Sequence, residues 1–219
     1  MKKILVIAPH PDDEVLGCGG TILRHKKNGD MVYCAYVTNF KKNYFKYKNK
    51  LEQIKKVSKK LKLDDYFIGE FHPTELNEKN LNKVILFIKK IVNKIKPETI
   101  FVPFEGDIHT DHKIVFDACK PFIKSFRYKF IKNFYVYEIL SETNFSEGLS
   151  KISFKPNLFV DITKFIKEKI KIAYIYKDEF YKHPFPRSSR SIKSLAILRG
   201  SFSNQKYSES FMIIKKIQY

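Results

Sequence analysis

Hydrophobic positions along this 219-residue chain follow two alternating rhythms. One is the short continuous apolar run: "KKILVIAP" (2–9), "MVYCAYVT" (31–38), "YFIG" (66–69), "TIFVPF" (99–104), "KNFYVYEI" (132–139) and "NLFVDIT" (157–163). Runs of this length and β-branched content are those of strands buried on both faces. Between them lie segments with apolar residues three and four apart, the period of an amphipathic helix. These are residues 19–28, 48–63, 76–96 (stopped by Pro97), 112–124 and 164–180, with a further helix after the loop 182–191 and "ESFMIIKKI" (209–217) beyond it. Strands alternating with helices predict an α/β fold: a Rossmann-like, doubly wound, mostly parallel sheet with helices on both faces. No internal repeat or low-complexity linker interrupts the pattern, so residues 1–219 read as a single domain.

In such a sheet, ligands sit at the carboxyl ends of the strands. Two polar clusters occupy those places. His10-Pro11-Asp12-Asp13-Glu14 follows the first run, and "EGDIHTDH" (105–112) follows the fourth. Carboxylates packed this tightly at the end of a buried strand are costly unless a cation compensates them. A catalytic zinc takes three protein ligands and a water. His10, Asp13 and one of His109 or His112 make such a set. Asp12 is then left beside the water, where a general base is wanted, and the remaining histidine is free to stabilise an oxyanion or protonate a leaving group. Iron(II) suits the same ligands. His25, His72 and His183 lack neighbouring carboxylate pairs and read as surface or structural.

Other chemistries fit less well. "GCGGT" (17–21) lies between a strand and a helix, but Ile22 stands where a dinucleotide fingerprint needs glycine, and no Gly-Lys-Ser/Thr follows. Gly19 and Gly20 therefore read as close-packing positions. No GxSxG elbow is present. Cys18, Cys34 and Cys119 form no CxxC pair, which argues against a disulfide framework and for a reducing, cytoplasmic setting. The opening "MKKILVIA" breaks at His10-Pro11, too early for a signal peptide, and no stretch is long enough to span a bilayer.

The formal net charge is +19, carried almost entirely by lysine. Lysines alternate with the apolar faces of the helices, as a solvated surface requires, and no nucleic-acid motif accompanies them. The excess still draws anions toward a cleft. Arg187 and Arg190 stand apart, two of five arginines, in the Pro/Ser-rich loop "KHPFPRSSRS" (182–191). Arginine suits bidentate capture of a phosphate or carboxylate, so either is a candidate for holding an anionic substituent of a substrate.

"APHPDDEVLGCGGT" (8–21) and "DIHTDH" (107–112) resemble the two signature motifs of the PIG-L/LmbE family of zinc-dependent N-deacetylases. Weaker similarity continues through "VDIT" (160–163), "LRG" (198–200) and "YSESF" (207–211). The resemblance implies a hydrolase that removes the acetyl group from an N-acetylated amino sugar or sugar conjugate. It implies His10, Asp13 and His112 as metal ligands and Asp12 as general base. His109 would stabilise the tetrahedral intermediate, Asp111 would orient a histidine, and Asp107 would join Arg187 and Arg190 in contacting substrate. The implied partner is a small N-acetyl sugar, neutral or bearing phosphate, nucleotide or carboxylate, with homo-oligomerisation left open. Two regions depart from the family pattern. Lys48 and Lys50 stand near a position usually held by arginine, and "TNFKKN" (38–43) replaces a glycine-containing turn. The competing readings are a metal-dependent phosphoester hydrolase, which ordinarily uses two metals and more acidic ligands, and a basic nucleic-acid or surface-binding module, which leaves the clustered acids unexplained.

Overall fold

A computed structural model describes residues 1–40, 46–149 and 151–218 of the chain. Seven strands form one sheet: β1 (Lys3–Ala8), β2 (Met31–Thr38), β3 (Asp65–Phe71), β4 (Thr99–Pro103), β5 (Asn133–Tyr137), β6 (Leu158–Asp161) and β7 (Ser208–Lys216), in the order β3-β2-β1-β4-β5-β7-β6. The first five are mutually parallel, and β7 runs antiparallel to both β5 and β6. Alternate residues of β1 serve opposite faces. Ile4, Val6 and Ala8 join one apolar core, while Leu5 and Ile7 join the other. The first core is covered by α1 (Asp13–Lys27), α2 (Lys46–Leu61), α5 (Ile166–Ala173) and α6 (Ser189–Ser201), and the second by α3 (Leu81–Ile95) and α4 (Thr110–Cys119). The expected doubly wound sheet is thus observed. Its strand order reverses between β1 and β4, so the two polar clusters emerge side by side.

Helix boundaries differ from the periodic reading in ways that matter for the site. Helix α1 begins at Asp13, not near residue 19, because Asp13 and Glu14 occupy its first turn, where acids complement the helix dipole. Helix α4 begins at Thr110, two residues early, with the side chain of His109 accepting the Asp111 N–H as its cap. Helix α5 ends at Ala173, and the rest of the segment expected to be helical is a loop that buries Tyr176 and Phe180. Of "TNFKKN", residues 41–43 lie outside the described residues.

Two glycines let α1 lie close to its neighbours. A methyl group on Gly17 would fall within 2.2–2.9 Å of the Tyr137 ring, and one on Gly20 within 2.6–3.0 Å of Ile162. A buried ion pair reaches the middle of the same helix. Lys169 Nζ donates to the Leu16 carbonyl and to Glu209 Oε1, both at 2.7 Å. Glu209 in turn accepts the Gly20 and Thr21 N–H groups at 2.8 and 2.7 Å. Leu16 C=O and Gly20 N–H are the pair that a regular helix joins, and here both are engaged by side chains from α5 and β7.

Removing one partner of a buried ion pair leaves an uncompensated charge. Lys169→Met is therefore expected to destabilise the fold by about 3–5 kcal/mol, read from urea unfolding. Lys169→Met/Glu209→Gln should lose clearly less than the sum of the single variants. Strict additivity would show that the two residues act independently.

Candidate functional site

The loop leaving β1 makes a sharp entry into α1. Asp12 has φ 138° and ψ −29°, a region a side-chain-bearing residue rarely adopts and one that costs about 1–3 kcal/mol. Glu14 holds it there. The Asp12 N–H donates to Glu14 Oε2 at 2.9 Å, while Tyr36 and Tyr176 hydroxyls donate to Glu14 Oε1 at 3.1 and 2.8 Å. Burial pushes the Glu14 carboxyl up to about 8, against the pull of the Tyr176 hydroxyl and the Asp12 N–H. The Asp12 carbonyl accepts the Val15 and Leu16 N–H groups, both at 3.0 Å, which starts the helix.

This turn brings the β1 cluster against the β4 cluster. His10 Nδ1 lies 3.3 Å from Asp13 Oδ2 and 3.3 Å from His112 Nε2, and His112 Nε2 lies 3.4 Å from Asp13 Oδ2. The three atoms form a nearly equilateral triangle. A tetrahedral zinc with bonds of about 2.0–2.1 Å has ligand–ligand edges of about 3.3–3.4 Å, so the donor set fits such an ion with one position open. His10, His109 and His112 also offer nitrogens within 4.8 Å of one another, but the triangle containing Asp13 is the tighter set. The other Asp13 oxygen, Oδ1, is buried with no hydrogen-bond partner among the described residues.

Each histidine of the triangle is held through its far nitrogen by a carboxylate. His10 Nε2 meets Asp111 Oδ2 at 2.9 Å, and His112 Nδ1 meets Asp107 Oδ2 at 2.8 Å. Carboxylate–histidine pairing of this kind fixes ring orientation around metals. Asp111 is itself anchored by the Thr74 N–H at 2.7 Å, and Asp107 by the Thr143 hydroxyl. The electrostatics point the same way. Burial alone would lower His10 and His112, but Asp111 and Asp13 raise His10 to about 9, and Asp13 and Asp107 raise His112 to about 10. Burial opposes the Asp13 charge, yet His112 and His10 hold its carboxyl well below the usual range. The cluster attracts positive charge, which protons on the histidines or a dication in their place can supply.

Beside the triangle is a cavity of about 220 Å³ lined by His10, Pro11, Asp12, Phe40, Lys50, Pro73, His109, Glu179 and Arg187. Asp12 faces it with only 2% of its surface exposed. Burial pushes its carboxyl up to about 7, against Arg187, which pulls it down. His109 is lowered to about 4 by burial and by its two neighbouring imidazoles. Its Nδ1 accepts the Asp111 N–H at 3.1 Å, so the neutral ring carries its proton on Nε2 and is a donor there.

The structure brings together His10, Asp12, Asp13, His109, Asp111, His112 and Arg187. Two expected substrate contacts are placed differently. Asp107 is buried and turned toward His112 and Thr143, away from the cavity. Arg190 is exposed in the first turn of α6 and does not line the cavity. Arg187 does line it, but its guanidinium is engaged within the protein: Nη1 donates to Asp12 Oδ2 at 2.6 Å, Nη2 to Glu142 Oε1 at 2.9 Å and Nε to Ser141 Oγ at 2.7 Å. Lys48 is exposed, whereas Lys50 is buried and pairs with Glu179 Oε1 at 3.1 Å. Sequence reasoning assigned no role to Glu14, Glu142 or Glu179. The run of three acids at 12–14 was a signal for Glu14, which is buried like the pair before it but is set apart by its two tyrosine hydroxyl partners. The other two carry no local signal. Of the remaining histidines, His25 pairs with Asp30 at 2.8 Å and His183 is exposed.

The chain is 24% identical to diacetylchitobiose deacetylase of Thermococcus kodakarensis over 99% of its length and 85% of that protein's. It is 31% identical to a probable N-acetyl-α-D-glucosaminyl L-malate deacetylase of Bacillus cereus over 51% of its length and 56% of that protein's. The fold matches that of N,N′-diacetylchitobiose deacetylase from Pyrococcus horikoshii with a TM-score of 0.78 at 22% identity, covering 98% of this chain and 84% of the other. Residues 5–123 match the family described as PIG-L, GlcNAc-PI de-N-acetylase. That span contains both polar clusters and every side chain of the triangle, and the chain belongs to the PIG-L family.

Proposed function

We propose that this protein is a metal-dependent N-deacetylase that hydrolyses the acetamide of a small N-acetylated amino sugar, releasing acetate and a free amine. The observation that carries the reading is the triangle of His10 Nδ1, Asp13 Oδ2 and His112 Nε2 with the Asp12 carboxylate beside it on the cavity wall. Zinc or iron(II) held by those three residues supplies Lewis-acid polarisation of the amide carbonyl and acidifies a water at neutral pH.

The chain's own groups complete the reaction. Arg187 fixes the Asp12 carboxylate through Oδ2, so Oδ1 is the oxygen that accepts the proton of the attacking water. A carboxyl raised to about 7 is poised to take that proton and to return it to the departing nitrogen. His109 is too weakly basic to act as the acid at neutral pH. It donates its Nε2–H to the oxyanion of the tetrahedral intermediate, a preorganised contact that strengthens as charge develops. Asp107 and Asp111 orient the ligand histidines and touch no substrate. The chain acts as one domain in this reading, because β7 completes the sheet that begins at Lys3. Three buried, unpaired cysteines accord with a cytoplasmic setting. No helix among the described residues is long and apolar enough to cross a membrane.

Metal content tests the ligand assignment without reference to activity. The purified protein should hold one divalent ion per chain by elemental analysis. His112→Ala should lose it, while His183→Ala should retain it; equal occupancy in both would remove the assignment. Asp12→Asn separates binding from chemistry. It should keep the metal while acetate release falls by about 10²–10⁴, the usual contribution of a positioned general base. Near-normal turnover with metal retained would mean that another group takes the proton. His109→Ala should keep the metal and lose about 10²–10³ in kcat, as for loss of one oxyanion donor. A loss confined to KM would assign it to substrate binding instead.

A further inference from the structure

The basic surface and the cavity differ in charge. The whole chain carries a formal +19, yet the cationic groups lining the cavity among the described residues are both already matched. Lys50 Nζ pairs with Glu179 Oε1 at 3.1 Å. Arg187 faces Asp12 at 2.6 Å, Glu142 at 2.9 Å and Glu179 Oε2 at 3.7 Å. Three carboxylates therefore surround two cations. His109 accepts the Asp111 N–H on Nδ1 at 3.1 Å, so its ring is neutral and adds no charge. A dication in the triangle would be faced by Asp13, Asp107 and Asp111, and it leaves no surplus for a ligand.

Glu179 occupies the position where this matters. It lies on the loop after α5, its side chain is 36% exposed, and its two oxygens reach Lys50 and Arg187 separately. Without it, a lysine ammonium and one edge of a guanidinium would face the cavity together, a pairing suited to phosphate or carboxylate. With it, the same groups present hydrogen-bond donors and acceptors without net positive charge, a lining suited to sugar hydroxyls. An anionic substituent brought here must be desolvated beside a carboxylate and must compete with it for both cations.

We propose that Glu179 makes this site selective for uncharged N-acetyl sugars and that it discriminates against substrates bearing a phosphate or carboxylate next to the acetamide-bearing ring. The selectivity rests on the deacetylase reading given above. The +19 surface raises encounter with anions of every kind, and the Glu179 clamp restores discrimination at the point of chemistry.

The test compares two substrates that differ in one charged group, the methyl glycoside of N-acetylglucosamine and N-acetylglucosamine 1-phosphate, using metal-loaded protein and acetate release. The wild-type protein should show kcat/KM at least tenfold higher for the methyl glycoside. Glu179→Gln, checked for folding by circular dichroism, should shrink that ratio at least threefold by raising kcat/KM for the phosphate. Deacetylation of both with equal or better use of the phosphate by the wild type overturns the selectivity and leaves the deacetylase reading standing. A wild-type preference that Glu179→Gln leaves unmoved overturns the assignment to Glu179. Should Glu179→Gln fail to fold, the wild-type ratio decides the selectivity, and Glu179→Ala takes its place in the comparison. Failure to release acetate from either sugar, with metal bound, removes the deacetylase reading and this inference with it.

Discussion

Negative charge concentrated at the ends of β1 and β4 is the constraint around which the molecule is organised. Asp12, Asp13, Glu14, Asp107 and Asp111 are all buried, and each must find a compensating partner or give up its charge. The solutions differ residue by residue. Asp13 and Asp111 stay ionised against the histidines, and Glu14 moves toward protonation beneath two tyrosine hydroxyls. Asp12 lies between these cases, with burial raising it and Arg187 lowering it. One compact cluster thereby contains a carboxylate held low by imidazoles, one raised toward neutrality on the cavity wall and one raised beneath tyrosine hydroxyls, the first two being those proposed as metal ligand and proton acceptor. Environment sets these roles, because the side chains are chemically almost the same.

Holding that cluster together takes support from distant parts of the chain. The strained φ of Asp12 persists because Glu14 accepts its N–H, and Glu14 depends on Tyr36 from β2 and Tyr176 from the loop after α5. Helix α1, which carries Asp13 and Glu14, is fastened along its length by Gly17 on Tyr137, Gly20 on Ile162, and the Lys169–Glu209 pair. His10 is tied through Asp111 to the backbone at Thr74, so the segment following β3 is linked to the same network. The site is therefore a junction of several elements, with few of its members free to move alone.

How much of this was legible in the sequence follows from range. Six of the seven strands were read from local apolar runs, while β7 was left unassigned and the edge strands β3 and β6 are less buried than expected. The two clusters were placed at adjacent strand ends by a rule of sheet topology. The start of α1 was misplaced because Asp13 and Glu14 look like loop residues unless the helix dipole is considered. Arg187 was marked as a residue for the site, but the partner that engages it, Asp12, lies 175 positions away. Nothing near residue 187 states that its guanidinium meets a carboxylate. Asp107 is placed differently from the expectation for the opposite reason. It sits within a motif rich in polar groups, and only packing shows that its carboxylate turns inward to His112.

The Lys169–Glu209 insertion into α1 has a consequence for the order of events during synthesis. Glu209 lies 189 positions after the Gly20 amide it accepts from, and among the described residues β6 has β7 as its one strand neighbour. At ribosomal rates of about 5–20 residues per second, those partners are separated by roughly 10–40 s. For about the last 5–20 s of that interval, the 97 positions from His112 to Glu209, the nascent chain has made His10, Asp13 and His112 without the Glu209 carboxylate that fastens α1. The centre is assembled from early residues and secured by late ones.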